Sequence, residues 1–147
     1  VYSKYFGAEA GLALGKCVTL TKNSSTDYSN KAVSCDDQTV ASYVVVQKLA
    51  GGEKCNEGYN SYTFTTNKNK EPAVYCLMEN LVEGKCYKEA TSPAVGYVIV
   101  TCDAQAAFKV NKVVKDSADE KACTDEEEPV AYPNDPKRTY CLGDPTK

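Results

Sequence analysis

"GKC" stands at residues 15–17 and again at residues 84–86, and the fold of this chain turns on whether that recurrence is chance. Further along, "CDDQ" at 35–38 is matched by "CDAQ" at 102–105, and "YCL" at 75–77 by "YCL" at 140–142. Each match is anchored on a cysteine, and the order is kept. The eight cysteines fall into two quartets, 17, 35, 55, 76 and 86, 102, 123, 141, whose matching members are offset by 69, 67, 68 and 65 residues. A near-constant period with repeated flanks is an internal duplication. It divides the chain into module 15–80 and module 81–147. Residues 1–14, "VYSKYFGAEAGLAL", mix Lys4 with Tyr2, Tyr5 and Phe6. They read as a juxtamembrane or flexible segment downstream of a leader or membrane anchor that is missing from the N-terminus.

Within each module the local patterns are those of strands. "KCVTLT" and "SYTFTT" alternate, "ASYVVVQKLA" is β-branched at its centre, and "AVYCLM" closes the first unit. "GKCYKEA", "GYVIVTC", "AFKVNKVV" and "TYCLG" repeat the series. Turn-forming clusters such as "NSSTDYSN", "AGGEKCNEG" and "PNDPKR" separate them. The best helix candidate is "SADEKACTDEEE", with Ser117 and Glu120 at capping-box spacing, and a shorter counterpart is expected around Glu53–Tyr59. The expected fold is all-β: two tandem antiparallel modules, each with two disulfides and a short helical turn.

Modules of about 70 residues bury thin cores and usually need reinforcement. The chain has no histidine and no C-x-x-C, so structural zinc and thioredoxin-like chemistry are both poorly served. Disulfides in an oxidising compartment fit the cysteines better. A meander order also predicts the pairs. The start of the first strand and the end of the second are neighbours in an antiparallel pair, which joins Cys17 to Cys35. Cys55 and Cys76 both fall at the end where the fourth strand begins. By repetition the second module pairs Cys86 with Cys102 and Cys123 with Cys141.

The order Gly-Lys-Cys, Val-x-Cys-Asp, a valine-rich strand, a lone cysteine and Tyr-Cys-Leu resembles the LppU-like envelope proteins of actinobacteria, over nearly the whole chain and twice. That family more often carries Gly-Asp-Cys where Lys16 and Lys85 stand here. The resemblance implies a small secreted or membrane-tethered, lipoprotein-like ectodomain, and it brings no catalytic residues with it.

The residues themselves say little for catalysis. Without histidine there is no Ser-His-Asp or Cys-His system. The consecutive acids Asp125–Glu128 suit a solvated surface, and they lack the spacing of a dedicated calcium loop. A net charge of −3 disfavours nucleic acid. Eleven tyrosines against three phenylalanines and no tryptophan bring recognition surfaces to mind. Tyr59, Tyr62, Phe64 and Tyr132 are the candidate binding residues, with core packing as the competing role. Tyr75 and Tyr140, beside matched cysteines, read as structural. The expectation is a non-enzymatic extracytoplasmic binding ectodomain of a cell-envelope protein, without cofactor or metal. Its partner would be an envelope or membrane protein, and it would meet the membrane only through the missing anchor. The alternative is a carrier of a small ligand or lipid in a groove between the modules.

Overall fold

The computed structural model describes residues 2–5, 13–25, 27–65 and 73–147, with side chains over 13–25, 27–63 and 73–147. Its strands are β1 (Tyr2–Tyr5), β2 (Cys17–Lys22), β3 (Tyr28–Val33), β4 (Ser42–Ala50), β5 (Asn60–Thr65), β6 (Ala73–Asn80), β7 (Cys86–Glu89), β8 (Tyr97–Val100), β9 (Phe108–Lys115), β10 (Glu128–Tyr132) and β11 (Arg138–Gly143). The fold is all-β. The first sheet runs β1-β5-β6-β4-β2-β3 and the second β10-β11-β9-β7-β8. Apart from β1, which lies parallel to β5, the two orders are the same. The duplication read from the cysteines is therefore a duplication of topology. Of the expected N-terminal segment 1–14, residues 1 and 6–12 lie outside the described residues.

The repeated "GK" has a conformational cause. Lys16 N donates to Ala13 O and Lys85 N to Val82 O, both at 3.1 Å, which closes a four-residue turn in each copy. The third residue of each turn is the glycine, with φ of 84° at Gly15 and 88° at Gly84. That is the type II position, where a Cβ is strained. The turns lock onto the central strands: Gly15 N donates to Val45 O and Gly84 N to Val110 O, each at 2.7 Å. Just beyond, both copies carry a bulge. The register slips past Val46 in β4 and past Asn111 in β9, opposite Cys76–Leu77 and Cys141–Leu142 respectively. An extra residue in the same place of each copy is a kept feature.

The chain forms two compact units, the first of residues 1–37, 42–80 and 91–96 and the second of 38–41, 81–90 and 97–147. The core of the first is Val18, Leu20, Tyr43, Val45, Tyr62, Tyr75 and Leu77, with Tyr28, Ala73 and Val95 packed against it. Val95 belongs to the connection between β7 and β8, which is held in this unit by Lys22 N donating to Pro93 O at 2.7 Å. The second unit centres on Tyr87, Val110 and Tyr140, all fully buried. Phe108 stacks on Tyr87 with ring centroids 5.7 Å apart, and Tyr97 meets Phe108 edge-on at 5.2 Å. Tyr140 Oη accepts from Leu81 N at 3.2 Å and from Arg138 Nη1 at 3.0 Å.

Four disulfides close the structure: Cys17–Cys35, Cys55–Cys76, Cys86–Cys102 and Cys123–Cys141. Two lie in each copy and join the expected cysteines, but the strand order is not a meander: β4 and β9 pair with β2 and β7, not with β3 and β8. A fully buried Leu77 or Val45 stabilises by about 1.5–3 kcal/mol. A bridge over a loop of this length contributes about 3 kcal/mol in the chain-entropy model. With so few fully buried side chains per unit, the bridges carry a large share.

The helical turns need correction. In the second unit a single 3-10 turn spans Glu120–Ala122, and its cap is Asp119, whose Oδ1 accepts from Lys121 N at 3.0 Å. Ser117 does not cap it; its carbonyl accepts from Thr139 Oγ1 at 2.8 Å instead. The counterpart over Glu53–Tyr59 is not helical. There the chain makes tight turns, with Glu53 N donating to Ala50 O at 3.1 Å and Tyr59 N to Asn56 O at 3.2 Å. Strand β10 was not anticipated from the sequence.

Candidate functional site

The tyrosines expected at a binding surface lie inside. Tyr62 is 0% exposed, Tyr132 5% and Tyr59 9%. The Tyr62 hydroxyl donates to Tyr28 O at 3.1 Å and accepts from Asn30 Nδ2 at 3.4 Å. Burial raises its pKa. Tyr132 packs edge-on against Tyr140, with centroids 6.1 Å apart. A tyrosine can replace a core phenylalanine when its hydroxyl finds a partner, and these residues present no recognition surface. Phe64 occupies the β5 position equivalent to Tyr132 in β10, by register with Ala73 and Arg138; its side chain lies outside the described residues.

The acids Asp125–Glu128 also have a local role. Glu127 Oε1 accepts from Thr124 N at 2.8 Å and Oε2 from Asn111 Nδ2 at 2.9 Å. Those hydrogen bonds hold its carboxyl below the usual carboxylate range. The Glu127 carboxylate lies near the sulfurs of Cys123 and Cys141, but these are bonded to each other at 1.99 Å. A disulfide offers no thiolate to a metal, so this group serves as a turn brace.

Two features of the first unit are less easily assigned to packing. The first is an open recess of about 460 Å³ beside the Cys17–Cys35 bridge, lined by Ala13, Lys16, Cys17, Ala32, Val33 and Ser34. At its rim Leu14, the second residue of the type II turn, is 62% exposed. The turn's hydrogen bonds hold the backbone that carries it. The pairings Cys17↔Val33 and Cys86↔Val100 align the copies here. Ala13 and Ala32 then correspond to Val82 and Ile99. The recess exists where copy one has alanine and copy two has larger β-branched side chains.

The second feature is Glu79. It pairs with Tyr43 across β6 and β4, on the face that carries Tyr75 and Leu77. Burial pushes its carboxyl up to about 7, against a hydrogen bond from Tyr43 that acts in the opposite direction. Gly96 packs over the Tyr43 hydroxyl so closely that a Cβ there would lie 2.6 Å from it. The repeat-equivalent pair is Phe108 and Asp144. Phe108 cannot donate, and Asp144 turns to its own loop, accepting from Thr146 N at 2.8 Å and Thr146 Oγ1 at 2.6 Å.

Compared with known proteins, the chain matches no family model, no curated sequence and no solved structure. Among the described residues no helix is long and apolar enough to cross a membrane. Fold and bridges together define the class: a disulfide-rich, internally duplicated all-β protein suited to an oxidising, extracytoplasmic environment.

Proposed function

We propose that this chain is a non-enzymatic binding ectodomain of a cell envelope, tethered outside the cytoplasm in the manner of the LppU-like proteins it resembles. In this reading the recess beside Cys17–Cys35 takes an apolar side chain of a protein partner, and Leu14 inserts into that partner in return. The observation that carries it is Leu14, a large apolar side chain 62% exposed on a turn whose backbone is held by hydrogen bonds. An anchor on a backbone already held by hydrogen bonds needs little further backbone ordering on docking, and burying one leucine supplies about 1.5–3 kcal/mol. Lys16 at the rim adds a positive charge beside the apolar floor.

The test places a photoreactive amino acid at Lys16 of the envelope-displayed chain. One cross-linked protein is expected. It should be lost when Leu14→Asp removes the anchor, and also when Ala32→Ile fills the recess with the residue of the second copy. No adduct, or an adduct indifferent to both substitutions, would rule the recess out as the docking point.

A further inference from the structure

The four bridges of this chain have different surroundings. A disulfide is opened by a thiolate that attacks one sulfur and expels the other, so its lability depends on access to the attacked side and on how well the departing sulfur carries charge. Access narrows the choice. Cys35 and Cys102 are exposed, whereas Cys55 and Cys123 are half-buried. Their partners Cys17, Cys76, Cys86 and Cys141 are at most 1% exposed. At Cys123–Cys141 the Glu127 carboxylate, near both sulfurs, also repels an incoming thiolate.

Cys17–Cys35 and Cys86–Cys102 are left, and they occupy the same place in the two copies. What separates them is the group beside the buried sulfur. Asn80 pairs with Ser42 across β6 and β4. Its Nδ2 donates to Cys35 O at 3.0 Å and to Ser42 Oγ at 3.2 Å, and makes a longer contact of 3.7 Å with Cys17 Sγ. The pairings Cys17↔Val44 and Cys86↔Lys109 align the central strands, and Val44↔Met78 and Lys109↔Gly143 carry the alignment on to β6 and β11. Ser42 and Asn80 then correspond to Ala107 and Pro145. Neither side chain can donate a hydrogen bond, so the second copy has no such amide for Cys86. The recess is a further difference, since it opens beside Cys17–Cys35 where Ala13 and Ala32 stand.

We propose that Cys17–Cys35 is a modification site, the bridge that an external thiol opens by exchange, with the Asn80 amide stabilising the departing sulfur. The external thiolate bonds to Cys35 Sγ, the Cys17–Cys35 bond breaks, and its electron pair leaves on Cys17 Sγ. One disulfide and one thiolate stand on each side of this step, so the thiol is the sole co-reactant. The Nδ2 contact, long to a bonded sulfur, becomes a charge-assisted hydrogen bond to a thiolate. Cys17 then re-attacks Cys35 and expels the thiol, which makes the modification reversible. The adduct follows Ser34 of the recess lining directly in sequence, but the exchange does not rest on the docking reading.

The experiment treats the full folded chain with reduced glutathione, traps free thiols by alkylation at successive times and maps the peptides. The adduct is expected on Cys35 and the alkylated thiol at Cys17, with this bridge opening about tenfold faster than Cys86–Cys102. Asn80→Leu, with its fold checked by dichroism, should slow the opening about tenfold. An Asn80 that merely braces the chain after β3 predicts the opposite sign, because loosening that chain speeds the opening. Leu14→Asp should leave the rate unchanged, which separates this site from docking at the recess. A second arm replaces glutathione by a reduced two-cysteine oxidoreductase. Opening in both arms assigns the site to thiols at large, and opening in the second alone to a protein thiol. The wild-type map needs no variant: bridges that open together, Cys86–Cys102 opening first, an adduct on Cys17, or no opening in either arm overturns the proposal. So does a rate that Asn80→Leu raises or leaves unchanged.

Discussion

Glu79 allows a quantitative test of the first unit's core. Its carboxyl titrates near 4.5 in the unfolded chain and at about 7 in the folded one, because burial disfavours the charged form. Below pH 4.5 both states hold the proton and the group is neutral in the balance. Between these values the folded state holds more protons than the unfolded one, so stability falls as pH rises, and the loss is complete above pH 7. At about 1.4 kcal/mol for each pH unit the upper bound is about 3 kcal/mol. Water still reaches part of the side chain, which brings the expectation to about 2–3 kcal/mol. Glu79→Gln keeps an acceptor for Tyr43 and cannot ionise. It should leave stability unchanged near pH 4 and raise it by about 2–3 kcal/mol at pH 8. Urea unfolding under non-reducing conditions, followed by tyrosine near-ultraviolet dichroism from pH 4 to pH 9, reads both curves. Parallel curves would refute the reasoning, since a pH-independent gain belongs to packing. Asp144→Asn is the internal control. That acid is held below its ordinary value by Thr146, so its substitution must not give a gain that grows with pH.

Further expectations concern the shared scaffold. Gly15→Ala and Gly84→Ala should each cost about 1–2 kcal/mol. No atom lies within 4 Å of the added methyl, so D-alanine at the same positions, introduced by chemical synthesis, should remove the cost; an equal penalty for both enantiomers would show a steric origin instead. Replacing Cys55 and Cys76 together by alanine should lower stability by about 3 kcal/mol in denaturant titrations, and the pair Cys123 and Cys141 by nearly as much, since the separations are 21 and 18 residues. Tyr140→Phe should cost about 1–3 kcal/mol by leaving Leu81 N without its acceptor, and a neutral result would mean that another acceptor moves in. Glu127, with its pKa lowered by Thr124 and Asn111, should titrate below free glutamate when followed by NMR. Its contribution is present above the ordinary carboxylate range and is lost as pH falls.

The scaffold was legible because it rests on local rules that leave marks in the sequence. A positive-φ turn demands glycine, and cysteines at the adjoining ends of a hairpin are near neighbours, whereas the departure from a meander that sets β4 and β9 beside β2 and β7 left no such mark. Alternating and β-branched runs announce strands β2, β4, β5 and β6 and most of their copies. Strand β10 was hidden by its own protection: Glu128 and Pro129 are discouraging in a central strand but acceptable at an edge. The tyrosines misled for a different reason. Composition cannot tell a hydroxyl facing solvent from one satisfied inside, and the partner of Tyr62 is the carbonyl of Tyr28, 34 residues away in sequence. Glu79 gave no sign in "CLMEN"; its position on the core-facing side follows only from register with Tyr43. The recess needs a strand-by-strand alignment of the copies before the alanines at 13 and 32 stand out.

That alignment also separates what the two copies share from what each has changed. The glycine turns, the bulges at Val46 and Asn111, the bridges and the buried Tyr75 and Tyr140 are common, and they hold the sheet. One row of changes crosses it. In the first unit the row runs Glu79, Tyr43, Val18, Ala32, through the pairings β6–β4, β4–β2 and β2–β3. In the second it is Asp144, Phe108, Tyr87, Ile99, with Tyr87 set between Phe108 and Ile99. The first ends in a half-buried acid at one side and an open recess at the other; the second has an exposed acid at one side and then aromatic and β-branched bulk at Phe108, Tyr87 and Ile99. A row free to vary while the frame stays fixed is where two copies of one unit can acquire different partners. The same substitution of bulk for small or charged side chains puts Ile99 where the first copy has Ala32 and Val98 where it has Lys31. Exchanging Ala32 with Ile99 in one chain should fill the recess of the first unit and abolish the cross-link from Lys16.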